Sequence, residues 1–357
     1  MVPSHKEAIS VRKTQFLKRQ SHSYLLNSDL SYLSAENRVS CVKKEDAYLR
    51  DLTPYRKQML SRALLALKDD VGNGDITTLA TLSPMSRKED AIIVVKEEGV
   101  LGGVLEARAI LEAGGLEVEF MKEEGASVEK GNIIAKIRGD VKQILSRERT
   151  ALDYLQIMSG IATACHRLAV RFPGKVASLR KTHPGLAFSE KMSVRAGGAL
   201  THRLGLFDGF LIKDNHLAAV ARELFGSSIF AEDQKIEAIQ ESLRRAELYR
   251  RRRRLFRCFI EVEVESFGQA LAAARYCRDN GVPDMILLDN LGSSEVERCV
   301  KVIREVAGQS VIIEASGGIT ESNLESYVEA GVDVASMSSL TLNSRPLDIS
   351  LKLVGYK

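Results

Sequence analysis

The stretch Met285-Ile-Leu-Leu-Asp289-Asn290 decides the fold. Four apolar residues end abruptly in an acid and an amide, and helical patterns flank them, the signature of a parallel strand buried on both faces. Five more runs repeat it, at residues 176–179, 209–213, 259–264, 311–315 and 332–337. The runs lead into Arg180-Lys181, Lys213-Asp214-Asn215, Glu263, Ser316-Gly317-Gly318 and Ser336. Six such strands alternating with helices predict a β/α barrel whose active site lies at the strands' C-terminal ends. Polar residues stop strands in any α/β protein, but the cationic bias of the first strand ends exceeds that ordinary role.

Upstream of the barrel, residues 55–67 have helical periodicity ending near Gly72. Strand-like runs follow at 90–96, 116–122 and 133–138, separated by glycine turns, then a long helical pattern from 146 to about 171. The predicted fold class is therefore α/β, with an N-terminal α+β sandwich domain packed on an incomplete β/α barrel. The expected boundaries are a basic tail at 1–45, the sandwich at 46–158 and the barrel at 159–345 with a basic insertion near 225–257. Residues 346–357 form a C-terminal segment that either ends freely or returns to the first domain.

Of 357 residues, 45% are hydrophobic and 27% charged, which is ordinary globular usage. The net charge of +4 is too small to argue for nucleic acid, and with aromatics at 6% and no Trp, base-stacking platforms are not expected. No apolar run is long enough to span a membrane. Five scattered cysteines without a C-x-x-C pair suit a reducing, cytoplasmic compartment and no structural zinc. In the tail, Glu7 is the only acid before Asp29, a composition shared by disordered extensions and organelle transit peptides.

The chemistry is read from four basic clusters, Arg149, Arg180-Lys181, His202-Arg203 and Lys213. Cations gathered at strand ends require an anionic ligand, and planar guanidinium groups suit carboxylates and phosphates. Glu263 and Asp289 close apolar strands and could accept sugar hydroxyls or hold a divalent cation. Glu261, Glu263 and Glu265 alternate on one strand face, an expensive place for carboxylates unless cations meet them. Ser316, Gly317 and Gly318 let backbone N–H groups approach a phosphate.

With these residues assembled, the chain resembles the quinolinate phosphoribosyltransferase family, also called carboxylating nicotinate-nucleotide pyrophosphorylases. The resemblance rests on Val-Gly-Asn-Gly-Asp-Ile-Thr-Thr at 71–78, Glu-Arg-Thr-Ala-Leu at 148–152, Ser-Gly-Ile-Ala-Thr at 159–163 and Arg-Lys-Thr-His-Pro-Gly at 180–185. It continues in His-Arg-Leu-Gly-Leu-Phe-Asp at 202–208, Leu-Ile-Lys-Asp-Asn-His at 211–216, the Glu261 to Glu265 stretch, Leu-Leu-Asp-Asn and Glu-Ala-Ser-Gly-Gly-Ile-Thr at 314–320.

The resemblance implies transfer of a phosphoribosyl group from 5-phosphoribosyl-1-diphosphate to quinolinate, with decarboxylation to nicotinate mononucleotide. Mg2+ enters with the diphosphate, and no residue is assigned to a resident metal. Lys181, Lys213, Glu263 and Asp289 are the implied catalytic residues. Arg149, Arg180, Lys181, His202, Arg203 and Lys213 would hold the acid, and Ser316, Gly317, Gly318 and Ser338 the phosphate. A homodimer or higher homo-oligomer is implied, with Arg149 acting in trans.

The chain departs from the family's pattern at Ser178-Leu179, where the family has Asp-Thr, and at Ser338 and Leu342, where it has Gly and His. The segment between Lys213 and Glu263 is longer than the family's and includes the arginine run 250–254, whose five residues face every side of a helix and are expected to lie in solvent. The alternative functions are a paralogue with altered aromatic-acid specificity, as in the molybdenum-associated branch of this fold, or a non-catalytic binding protein using that run.

Overall fold

The computed structural model describes residues 50–355 apart from Ser86, Ser227 and Ser228; the expected tail at 1–45 lies outside the described residues. The first sheet is antiparallel, with strand order β12-β1-β5-β3, where β1 is Lys88–Val95, β3 Glu117–Phe120, β5 Ile133–Asp140 and β12 Ile349–Leu353. Alternating burial along β1 places Ala91, Ile93 and Val95 in the core, as period two requires when one face is packed. Helices Arg56–Val71 and Val104–Glu112 add to this domain, and a two-stranded ribbon, β2 (Gly99–Val100) with β4 (Ser127–Val128), completes it.

The C-terminal segment returns: β12 pairs antiparallel with β1, Ile349 opposite Val95 and Leu353 opposite Ala91. Ile349, Leu351 and Leu353 alternate with Ser350 and Lys352, the period-two signature of a strand, but local pattern does not say which strand it joins.

Helix Val141–Arg171 joins the two domains. Asp140 caps it by accepting the Lys142 N–H at 2.8 Å, which is why it begins five residues before the periodicity at 146 becomes clear. Gly160 lets the C-terminal segment cross this helix closely, since a Cβ there would stand 2.2 Å from the Arg345 carbonyl oxygen.

The second sheet is parallel, with strand order β6-β11-β10-β9-β8-β7. Its strands are β6 (Val176–Ser178), β7 (Phe210–Ile212), β8 (Ile260–Val264), β9 (Met285–Asp289), β10 (Ile312–Ser316) and β11 (Val334–Met337). Every residue of β8 and β10 is buried, because helices cover one face and the curved interior the other. The sheet stays open between β6 and β7. There Leu200 pairs beside β6, exchanging backbone hydrogen bonds with Val176 and Ser178, so the residues after it enter the gap.

The insertion forms helix Glu232–Arg253. The expectation of a wholly solvated arginine run is corrected at Arg250, which is only 1% exposed. Its Nη1 bonds to Asp284 Oδ2 at 2.6 Å and its Nε to Glu247 Oε2 at 2.6 Å. Asp284 also accepts the Ile260 N–H at 2.7 Å, so the ion pair ties the insertion to the start of β8. Arg251, Arg252, Arg253 and Arg254 are exposed. Arg250→Met should lower unfolding stability by about 3–5 kcal/mol, because it strands a buried carboxylate, whereas Arg252→Ala should leave the denaturation midpoint unchanged. Chemical denaturation of both variants checks this.

Candidate active site

The C-terminal ends of the parallel strands gather most of the expected residues. At the end of β6 Ser178 is buried, and beyond it Leu179 is half-buried and Arg180 and Lys181 are exposed. The Lys181 carbonyl is held by the Thr341 hydroxyl at 2.6 Å, which anchors this loop to the end of β11. Lys213, just past β7, bonds through its ammonium to Glu263 of β8. Asp289 closes β9 in register with Ser316 of β10 and accepts from the Asn290 side-chain amide.

Asp289 shows how these groups act on one another. Burial pushes its carboxyl pKa up to about 6, the negative charge of Glu263 adds to the rise, and Lys213 and Lys181 oppose it. Lys181, Lys213, Glu263 and Asp289 thus form one electrostatic group of mixed sign.

Glu265 does not share the interior with Glu261 and Glu263. It lies past the end of β8, exposed, its N–H donating to Gln269 Oε1 at 3.0 Å, because the strand stops at Val264.

The gap between β6 and β7 admits His202 and Arg203. Arg203 is 6% exposed and donates from Nη1 to the Gly209 carbonyl at 3.2 Å. Burial, then the charge of Arg180, holds its pKa below the usual arginine value, so the two guanidinium groups feel each other. An anionic ligand between them would relieve that repulsion.

His202 has a different place from the one expected: it is 2% exposed, deep in the sheet interior. Its Nε2 lies 3.2 Å from Glu261 and 3.5 Å from Glu314. Burial favours the neutral ring, but the charges of Glu314 and Glu261 outweigh it and push the pKa up to about 9. The Arg203 N–H pointing at Nδ1, at 2.6 Å, opposes full protonation, since a cationic ring carries a hydrogen there. We favour the arrangement fixed by this hydrogen bond: Nε2 carries the proton toward the two carboxylates. Burial and Glu314 raise the pKa of Glu261, consistent with a shared proton.

Ser316, Gly317 and Gly318 follow β10 as a tight backbone turn. Gly317 has φ +88° and a Cβ there would meet Asn290 Oδ1 at 2.2 Å, so only glycine fits. The Asn290 N–H donates to the Ser316 carbonyl at 3.0 Å and locks the turn against β9. Ser338 stands at the end of β11, where its carbonyl accepts the Thr341 N–H at 3.3 Å.

Arg149 is exposed on the long helix and pairs with Asp153 at 3.3 Å. A cavity of about 760 Å³ lies between the β2–β4 ribbon, the long helix and residues 339–347. It has none of Arg180, Arg203, Lys213 or Asp289 in its wall, so the charged cluster, not this void, marks the chemistry.

Sequence reading passed over two members of this region. Glu314 was visible only as the start of a glycine motif, although its position two residues before Ser316 on an inward-facing strand was a usable signal. Lys191, on helix Ala187–Ala196, sat in a pattern that gave no sign of burial, yet it is 1% exposed.

The fold and site define a two-domain α/β protein with a cluster of charged side chains at the mouth of an open parallel barrel. The family described as Quinolinate phosphoribosyl transferase, N-terminal domain, matches residues 75–159, and its C-terminal domain matches residues 161–352. The chain belongs to the quinolinate phosphoribosyltransferase family. It is 36% identical over 297 residues to the probable nicotinate-nucleotide pyrophosphorylase (carboxylating) of Methanothermobacter thermautotrophicus, covering 82% of this chain and 97% of that protein. It is 32% identical over 300 residues to the chloroplastic nicotinate-nucleotide pyrophosphorylase (carboxylating) of Arabidopsis thaliana, covering 81% of each. Among solved structures, NadC from Streptococcus pyogenes aligns with a TM-score of 0.69 at 31% identity, covering 85% of this chain and 99% of that one.

The electrostatic coupling has a direct readout. In carbon-detected NMR, Asp289 should titrate near pH 6, and Lys213→Met should move its midpoint upward, because the opposing cation is removed. An unmoved midpoint would separate Lys213 from Asp289.

Proposed function

We propose that this chain transfers the 5-phosphoribosyl group of 5-phosphoribosyl-1-diphosphate to quinolinate, releasing diphosphate and carbon dioxide and forming nicotinate mononucleotide. The observation that carries this reading is the meeting of Arg180, Arg203, Lys181 and Lys213 with the carboxylates of Glu263 and Asp289 beside a phosphate-type glycine turn. The cations match a dicarboxylate, and the carboxylates match an electron-poor sugar.

In the reaction, the lone pair of the ring nitrogen attacks the ribose anomeric carbon as that carbon's bond to diphosphate breaks. Negative charge on Glu263 and Asp289 favours the cationic sugar at this moment. Asp289 must be ionised for that work, so activity is expected to rise as pH passes upward through about 6. The pyridinium nitrogen then accepts electron density from its neighbour as carbon dioxide leaves, and the ring carbon takes up a proton. Ser316, Gly317 and Gly318 would hold the ribose 5-phosphate through backbone N–H groups, with Ser338 beside them.

Glu263 and Asp289 also fit a hard divalent cation, since two neighbouring carboxylates, one with a raised pKa, are what such an ion neutralises. Mg2+ arriving with the diphosphate would supply charge neutralisation to the leaving group. The free thiols of Cys165, Cys258, Cys277 and Cys299 support a reducing compartment such as the cytoplasm. Among the described residues no helix is long and apolar enough to cross a membrane.

Purified protein should release diphosphate only when quinolinate is supplied. Arg203→Ala should lower kcat/KM for quinolinate by roughly 100-fold, the scale of losing a buried charged contact; activity that survives this change would contradict the pocket.

The exposed Arg149 is assigned to the partner's pocket in a homodimer. Mixing inactive Arg149→Ala and Lys213→Met subunits should restore about one-quarter of wild-type activity, since half the dimers are then mixed and each has one complete site. No recovery on exchange of subunits would place Arg149 in its own chain's site or outside any.

A further inference from the structure

Lys191 takes no part in the reaction as drawn, yet few side chains in the protein are buried at greater cost. Its Nζ faces Ser178 Oγ at 2.8 Å, Ser178 O at 3.3 Å, Leu179 O at 2.7 Å and the carbonyl oxygen of Thr201. An ammonium has three N–H donors, so these oxygens use all of its capacity. Among the described residues no carboxylate lies within ion-pair distance of it, which is unusual for a buried lysine. The oxygens belong to two segments: one runs directly into Arg180-Lys181, the other into His202-Arg203.

We propose that Lys191 is the positioning residue of the acid pocket, its ammonium clamping the backbone of both arginine-bearing segments so that quinolinate binding depends on its proton. This inference rests on the reading that the pocket takes an aromatic dicarboxylate.

The clamp crosses the open edge of the barrel. Leu200 is held to β6 by backbone bonds, but past Thr201 the chain leaves that strand, and Lys191, together with the Ser178 hydroxyl that donates to the Thr201 carbonyl at 3.3 Å, fastens the departure point to the end of β6. A neutral amine offers two N–H groups in place of three, so loss of the proton removes a tie between the two arginine-bearing segments and a positive charge from the pocket's backbone. Burial draws the Lys191 pKa down to about 7, while Cys165 of the long helix, Glu314 of β10, Glu190 of its own helix and Asp208 before β7 pull it upward. The sign follows: below about 7 the clamp is charged and complete, and above it the free pocket loosens. A bound dianion favours the charged form, so binding takes up a proton at neutral to alkaline pH.

Steady-state kinetics from about pH 6 to about pH 9, with quinolinate and 5-phosphoribosyl-1-diphosphate varied separately, tests this. In the wild type, KM for quinolinate should rise roughly tenfold as Lys191 loses its proton, with the other KM little changed and kcat level once Asp289 is ionised, above about pH 7. Lys191→Met should have a raised quinolinate KM that no longer depends on pH in this range. Ser178→Asp places a carboxylate where the hydroxyl meets Nζ, holds the proton, and should move the rise to higher pH. This second variant decides the matter if the first does not fold.

A limb unmoved in Ser178→Asp, or a Lys191→Met enzyme whose two KM values rise together, would overturn the proposal, because a merely structural lysine would act in those ways. Wild-type protein with no quinolinate-dependent diphosphate release would instead remove the functional reading on which it rests.

Discussion

Two glutamates inside an apolar barrel are the constraint around which the second domain is arranged. Glu261 and Glu314 are both fully buried, and an isolated carboxylate there would be untenable. The imidazole of His202 answers them, and it can reach them only because the sheet is open between β6 and β7. The need of these carboxylates for a hydrogen-bond donor and the gap in the sheet are thus one feature. Arg203, the next residue, is carried into the pocket wall by the same insertion.

The site divides its labour between depth and rim. His202, Glu261, Glu314 and Lys191 are buried and bind other parts of the protein, while Arg180, Lys181, Lys213 and Asp289 stand where a ligand can reach them. The buried set fixes backbone; the rim set supplies charge. Such layering suits a substrate with charges at both ends, since small errors in the spacing of cations cost binding steeply.

Much of this was legible in the sequence. The six parallel strands announced themselves because strands covered on both faces must be continuously apolar, and their polar ends marked the mouth of the barrel. Arg180, Lys213, Glu263 and Asp289 could be found by that rule alone. Glu261 was flagged as needing a cation, but the identity of the partner depended on a gap in the sheet that no periodicity records. Lys191 was hidden because its partners, apart from the Ser178 hydroxyl, are backbone oxygens, which leave no trace in residue types. Arg250 was misread for a similar reason: a run of arginines covers every side of a helix, and only the placement of Asp284 selects the one that turns inward. The return of the C-terminal segment to the first domain was among the expectations, but the choice of β1, some 250 positions away, as the partner of β12 is a pairing that local pattern cannot encode.

That last strand bears on how the protein is made. Because β12 follows all the strands of the parallel sheet in sequence, the sheet of the first domain lacks an edge until the barrel segment has left the ribosome. Over that interval β1 presents unpaired backbone groups to its surroundings, an invitation to stick to other chains. The two domains therefore mature together, and a nascent chain stalled short of residue 349 would be left with its opening module unfinished.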